Sequence, residues 1–297
     1  MCATVLAEAP KDLERALQSP ARCIEARLDP YRGDWRAASE LLAKLAQSKV
    51  VIATIRSKEE GGLFRGGEEE RLGAYLRALE AGPQYVDVEL NSEIKEEVVK
   101  AKGTSKIILS VHDFSGTPPL ATLKSWADAA VGAGADVVKI ATTARSWEDN
   151  FALLSLIGSA QKPTVAFAMG PLGLLSRVFA PLMGAPFTYA ALDKPAAPGQ
   201  LPYGAMEAIY ASLGLYSDLK SLGEMRIALD AVDTALMHLL KLRLAICRDM
   251  GRLKKSMGLP IYDDVRETEV LKRAGDFRQL FDLVVQMCKA VQVAVEP

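Results

Sequence analysis

A lysine in the middle of an apolar run, DVVKIATT, and a histidine one repeat earlier, SVHDF, are the residues of this chain best placed to do chemistry. Lys139 is flanked by Val137, Val138 and Ile140, so a buried strand here would desolvate it. Desolvation disfavours the ammonium form and leaves a nucleophilic amine near neutral pH. Such an amine can form a Schiff base with a carbonyl substrate. His112 precedes it by about 27 residues, roughly one strand–helix–strand unit, which sets a proton-transfer group beside the nucleophile. The competing reading is a lysine that snorkels from the rim of the fold.

The elements that must hold these residues follow a regular plan. Short β-rich runs recur at 2–7, 23–29, 50–56, 85–90, 106–113, 136–143, 164–170 and 187–193, and a helix-compatible segment follows each. Eight strands alternating with eight helices in about 214 residues fit a closed parallel (β/α)8 TIM barrel, an α/β fold. A doubly wound open sheet is the rival, but it normally brings a Gly-rich phosphate turn after an early strand, and none is present. In barrels of this kind the C-terminal ends of the strands build the site. Reading those ends collects Glu25 and Arg27, Arg56 with Glu60 in the loop beyond, Asp87 and Glu89, His112, Lys139, Met169, then Arg177 and Gln200 in later connections. A structural network of ion pairs accounts for Asp87 and Glu89. It does not account for a lysine and a histidine on adjacent strands with several arginines at the same rim.

Beyond LYSDLKSLG (215–223) the pattern changes. Apolar residues at Leu229, Val232, Leu236, Leu239, Leu240, Ile246, Met250 and Leu253 make a long helical stripe, with Gly251 as its single weak point. GLPIYDD breaks the helix and two more follow, so 217–297 reads as an all-α, three-helix domain after a barrel at 1–216. Arg243 sits at a core-like spacing within the stripe. Lys254 lies close to three turns further on, about 16 Å along the same face, a gap that two long side chains can close on a small dianion. Arg226 is about 25 Å from Arg243 and about 42 Å from Lys254 on a straight helix, so it serves a partner's site if it serves any. A three-helix unit with so long a first helix cannot cover its own stripe, and a homodimer is expected.

Composition excludes other classes. The formal net charge of −1 offers no electrostatic case for nucleic acid or an anionic membrane. No apolar stretch is long and unbroken enough to span a bilayer, and the N-terminus lacks a signal-peptide pattern. Cys2, Cys23, Cys247 and Cys288 are scattered without metal spacing, which makes reduced thiols in a cytoplasmic protein the expectation.

Two resemblances sharpen this. E-x-R-x-D, T-x-R-S-x-x-E-G-G, S-x-H-D-F, D-x-x-K-x-A, A-M-G-x-x-G and A-P-G-Q occur in order over residues 2 to 214 and resemble type I 3-dehydroquinate dehydratase of the shikimate pathway. The resemblance implies that Lys139 forms an imine with the ketone of 3-dehydroquinate and that His112 moves the protons. It makes Glu60 the residue that orients the histidine. Glu25, Arg27 and Arg56 match substrate-binding positions, Arg177 the carboxylate-binding arginine, Gln200 the closing loop, and Met169 and Tyr189 apolar walls. Ala196 stands where many members have a hydroxyl residue. MRIALDAVDTALMHLLKLR, GRLKK, GLPIYDDVRE and CKAVQ resemble the all-helical chorismate mutases over 222–293. That implies rearrangement of chorismate to prephenate. The partner chain's Arg226, with Arg243 and Lys254, would hold the carboxylates and ether oxygen, and Glu267 and Gln292 would complete the polar cage. Asp263 and Arg266 match further site positions, and Cys288 stands where a small hydroxyl residue is common. Neither implied reaction calls for a cofactor or metal. A class I aldolase barrel, or a helical domain that only dimerises or senses an effector, are the alternatives.

Overall fold

The computed structural model describes residues 1–213 and 222–295, with only the main chain described for some residues between 222 and 242. The chain divides into two compact units, Met1–Met206 and Glu207–Pro297. The expected boundary at 216/217 and most of the 215–223 junction lie outside the described residues.

Eight strands form one parallel sheet: β1 (Cys2–Leu6), β2 (Cys23–Arg27), β3 (Val50–Thr54), β4 (Tyr85–Glu89), β5 (Lys106–Asp113), β6 (Val137–Thr143), β7 (Thr164–Met169) and β8 (Tyr189–Ala191). They alternate with α1 (Pro10–Gln18), α2 (Trp35–Ser48), α3 (Glu68–Glu80), α4 (Lys95–Ala101), α5 (Leu120–Gly132), α6 (Glu148–Ser159), α7 (Leu174–Phe179) and α8 (Tyr203–Ser212). The hydrogen-bonded order runs β7-β6-β5-β4-β3-β2-β1-β8. Sequential neighbours with β8 returned to β1 are the order of a TIM barrel, and the doubly wound alternative is excluded. The ladder is interrupted between β7 and β8. Side chains bridge that seam, with the Phe167 and Tyr189 rings 6.0 Å apart. The loop after β8 also reaches across it, where Gly170 N–H donates to Pro198 O at 3.1 Å.

The two-residue period of a strand sets up the interior in layers. The floor is apolar and includes Cys2, Ile52, Ile108, Val137, Val165, Phe187 and Tyr189, with Cys23 and Tyr85 packed against it. Two residues further along the same strands stand Thr4, Glu25, Thr54, Asp87, Ser110 and Lys139, all buried. Two more bring Arg27, Arg56, Glu89 and His112 to the strand ends. So much buried charge is tolerable because it is paired. Arg56 binds Asp87 at 2.8 Å, Glu89 at 3.1 Å and Ser110 Oγ at 2.7 Å. Arg71, on α3, reaches in to Glu89 at 2.6 Å. Removing one member of such a network costs about 3–5 kcal/mol, because an uncompensated charge stays behind.

The second unit contains α9 (Leu222–Ser256), α10 (Asp264–Ala274) and α11 (Arg278–Ala294). At 35 residues α9 is about 52 Å long. It runs unbroken through Gly251, where the sequence suggested weakness. A Cβ at that position would meet the Gln292 main chain at 2.8 Å, so the glycine is what lets α11 pack close. Leu229, Leu236, Ile246 and Leu253 of the stripe are exposed, while the side chains of Val232 and Leu239 lie outside those described. No helix among the described residues is long and apolar enough to cross a membrane.

Candidate active sites

The mouth of the barrel holds a cavity with about 580 Å³ of empty space. Its lining includes Glu25, Arg27, Arg56, Glu60, His112, Lys139, Met169, Arg177, Tyr189 and Gln200, so all ten barrel residues singled out from the sequence meet there. Lys139 is buried on β6. Its Nζ donates to Asp87 Oδ2 at 2.7 Å and to Glu25 Oε1 at 3.4 Å, and it lies 4.4 Å from the centroid of the Tyr189 ring. Asp87 thus belongs to a buried ion-pair network that includes Lys139. Although burial alone would raise its pKa, the Arg56 and Lys139 cations hold it far below the usual carboxylate range.

Glu60 is carried to His112 by the turn after β3. Gly61 adopts φ +80°, and a Cβ on Gly62 would strike the Arg56 carbonyl at 2.0 Å, so the paired glycines permit the chain to fold back. Glu60 Oε2 accepts from the His112 backbone N–H at 3.0 Å and meets His112 Nδ1 at 2.8 Å. Burial raises Glu60 to about 7, against the lowering effect of Arg56. Burial, with the nearby Arg56 and Lys139 charges, pushes His112 well below its ordinary value. A Glu60 carboxylate accepts a hydrogen bond from Nδ1–H, which keeps the proton on Nδ1 and leaves Nε2 as a base.

Gln200 closes a further chain of contacts. Its amide donates to Thr4 Oγ1 at 3.0 Å, and Thr4 donates to Glu25 at 2.7 Å. Ala196, which has no hydroxyl to offer, gives its backbone N–H to Gln200 Oε1 at 2.7 Å. Arg27 is held by Asp29 at 2.8 Å. Arg177 differs from the other arginines. It stacks 4.3 Å over Phe167 and donates to Pro198 O at 3.2 Å, while its buried Nε has no partner. Burial brings it down to about 10, with only Glu25 opposing. A buried guanidinium short of a carboxylate, facing a cavity, suits an anionic ligand group. The sequence reading missed Thr4, Ser110 and Phe167, whose inward phase was legible, and Arg71, whose acidic helix reads as a solvated face.

In the helical unit a second, larger cavity has about 1140 Å³ of empty space. Arg243, Lys254, Asp263, Arg266, Glu267 and Gln292 line it together, as the spacing indicated. Arg226 is not among its lining residues and sits exposed on α9. Arg243 donates to the Cys288 thiol and to Val284 O at 3.4 Å, and Lys254 donates to Ile261 O at 2.9 Å. Asp263 caps α10 by accepting from Arg266 N–H at 2.9 Å. Glu267 binds Lys289 at 2.6 Å, a cavity cation that the sequence reading did not select. Gln292 Oε1 is buried without a partner and free to meet a donor on a ligand.

Residues 1–217 match the family model described as type I 3-dehydroquinase. The chain belongs to the type I 3-dehydroquinase family. Residues 225–293 match the model described as chorismate mutase type II. A Pyrobaculum aerophilum protein named 3-dehydroquinate dehydratase is 51% identical over 99% of this chain and 97% of its own length, so the likeness takes in the helical unit as well as the barrel. Crystal structures of 3-dehydroquinate dehydratases from Geobacillus kaustophilus and Aquifex aeolicus are similar over the barrel. The first has a TM-score of 0.65 and 28% identity, covering 73% of this chain and 91% of that one. The second has a TM-score of 0.62 and 27% identity, covering 71% and 97%. The chain thus joins a dehydroquinate dehydratase, a lyase, to a chorismate mutase, an isomerase, as one bifunctional enzyme of aromatic biosynthesis. The aldolase reading and a purely non-catalytic helical domain are not favoured.

Proposed function

We propose that Lys139 Nζ attacks the ketone of 3-dehydroquinate and, with loss of water, forms a protonated imine that draws electrons from the adjacent C–H bond. His112 Nε2 takes that proton. The resulting enamine expels the β-hydroxyl, to which His112 returns the proton, so water leaves. Hydrolysis of the imine then releases 3-dehydroshikimate and the free lysine. Glu60 holds the histidine in its working tautomer, Arg177 takes the substrate carboxylate, and Arg27, Arg56, Glu25 and Gln200 fix the hydroxyl-bearing ring. Met169 and Tyr189 form its walls. The observation that carries this reading is the meeting of a buried Lys139 and the His112–Glu60 pair in one enclosed cavity with an underpaired arginine.

In the helical cavity the rearrangement of chorismate needs restraint and charge rather than a nucleophile. Arg243, Lys254 and Arg266 supply cations, Gln292 and Glu267 polar contacts, and Asp263 orders the start of α10. Arg226 completes the site of a second copy in a homodimer, a reading supported by its distance along α9 and by the exposed leucines of that helix. The enzyme works on small anions.

Reduction with borohydride in the presence of 3-dehydroquinate, followed by peptide mapping, tests the first half. An adduct on Lys139 is expected, and an adduct elsewhere or none would sink the imine mechanism. Turnover of chorismate by the same full-length chain tests the second.

A further inference from the structure

The four cysteines, scattered in the sequence, come together in space as two pairs, one in each compact unit. Cys2 opens β1 and Cys23 opens β2, and the parallel register that joins Ala3 to Ile24 sets them side by side. Their sulfurs are 2.6 Å apart on the barrel floor. Neighbouring strands lie about 4.8 Å apart, inside the Cα separation that a disulfide accepts. In the helical unit Cys247 on α9 and Cys288 on α11 are both buried, line the same cavity and face each other where the two helices pack. From this geometry we propose that the chain carries two intradomain disulfides, Cys2–Cys23 and Cys247–Cys288, in place of the reduced thiols that composition suggested.

Each bond forms by exchange with a small oxidised disulfide. One thiolate attacks that reagent and displaces a thiol, and the second thiolate then attacks the mixed disulfide. Two protons and two electrons leave the protein, and the reagent ends as two thiols. Oxidation belongs to folding rather than to the finished molecule. Burial, then the contact with Cys23, raises the Cys2 thiol well above its ordinary value, and burial with the Cys247 contact pushes Cys288 up to about 12. Neither is a good nucleophile once enclosed. The same enclosure shields each finished bond from external thiols. Neither bond joins one unit to the other, so each staples its own domain. The second also ties α9 to α11 beside Arg243, the guanidinium that donates to Cys288.

The test uses the full-length chain, reduced and unfolded in guanidinium, then refolded in mixed reduced and oxidised glutathione. The refolded protein should be about 4 Da lighter than its reduced form, one pair of hydrogens per bond. A non-reducing digest should yield the 2–23 and 247–288 peptides, each linked. Cys2→Ser should leave Cys23 alkylatable after denaturation while the helical pair stays oxidised, and Cys247→Ser should do the converse for Cys288. If refolding fails, cell-free synthesis in the same glutathione mixture gives the identical readout. Four alkylatable thiols, glutathione adducts only, or scrambled or interchain links would overturn the proposal. A chain with one linked pair and two free thiols would overturn it for the free pair.

Discussion

At the barrel mouth almost every cation already has a carboxylate: Arg27 has Asp29, Arg56 has Asp87 and Glu89, and Lys139 has Asp87 and Glu25. In the helical cavity, Arg243 and Lys254 bond to a thiol and to main-chain carbonyls, and their neighbours outnumber the acids that line the same space. The difference fits the chemistry proposed for each site. Making and breaking an imine requires groups fixed in position and protonation state, which a dense buried network supplies. Rearranging a dianion within itself requires mainly a field that its charges can complete, so underpaired cations suit it. Arg177 is the barrel's one departure toward the second style, and it is the residue assigned to the substrate carboxylate.

The comparison breaks most sharply at Lys139. Lys139→Met should abolish dehydration while mutase turnover stays within about twofold, since no helical-cavity group forms a covalent bond. Loss of both activities would mean that the two chemistries are not separable. His112→Ala should still trap an imine with borohydride yet lose roughly 10²–10⁴-fold in dehydration rate. Near-normal turnover would remove His112 from the proton path. Arg243→Ala should lower mutase kcat by about 10²–10³-fold and leave dehydration alone. Mixed with Arg226→Ala under subunit exchange, it should regain up to about one quarter of wild-type mutase activity, because one site of a mixed dimer receives neither defect. Confirmed exchange without recovery would rule out the shared site. Arg177→Ala should weaken dehydroquinate binding by about 10–100-fold, the worth of a charge-assisted hydrogen bond, with a smaller effect on kcat.

The mildest effect concerns pH. Glu60 titrates near 7 in the folded chain, above its ordinary carboxylate value, so its carboxylate form grows as pH rises through about 7. Dehydratase kcat/KM should rise over that range as the His112–Glu60 pair sheds its proton, and Glu60→Gln should remove the inflection from a pH–rate profile. Stability has the opposite slope. A carboxyl whose folded pKa is raised binds more protons folded than unfolded, so its contribution is complete below about 4.5 and declines as pH climbs to about 7. Denaturant midpoints measured across that window should slope less in the Gln variant.

Much of this was legible in the residues. Eight apolar runs located the eight strands, because parallel strands buried on both faces read as continuous hydrophobic stretches. The inward phase set by Lys139, His112, Glu25 and Arg56 was equally plain. Asp87 was read as a member of an ion-pair network, and it pairs with Arg56 and Lys139, but a single strand does not reveal which of its two acids points at a lysine two strands away. The register sets Ser110 opposite Lys139 on one side and Glu89 on the other, so only the folded side chains show that it is Asp87 that meets the lysine. Arg71 was hidden because its helix begins EEER, a pattern that solvated surfaces share. On α9, turn counting put Arg243 and Lys254 on one face, whereas Lys289 on α11 became a cavity residue only once α11 had packed against the Gly251 notch.

The seam between β7 and β8 joins two properties that are usually separate. Its hydrogen bonding comes from the segment around Pro198, which belongs to the loop that also carries Gln200 into the site. A ligand that entered past that loop would have to break the Gly170–Pro198 hydrogen bond as it did so. Substrate exchange would then be coupled to opening of the seam, and a bound ring that kept Gln200 engaged would hold it shut. Amide exchange at Gly170 should accordingly slow when dehydroquinate is held in place, even though that amide faces a loop and not the ligand.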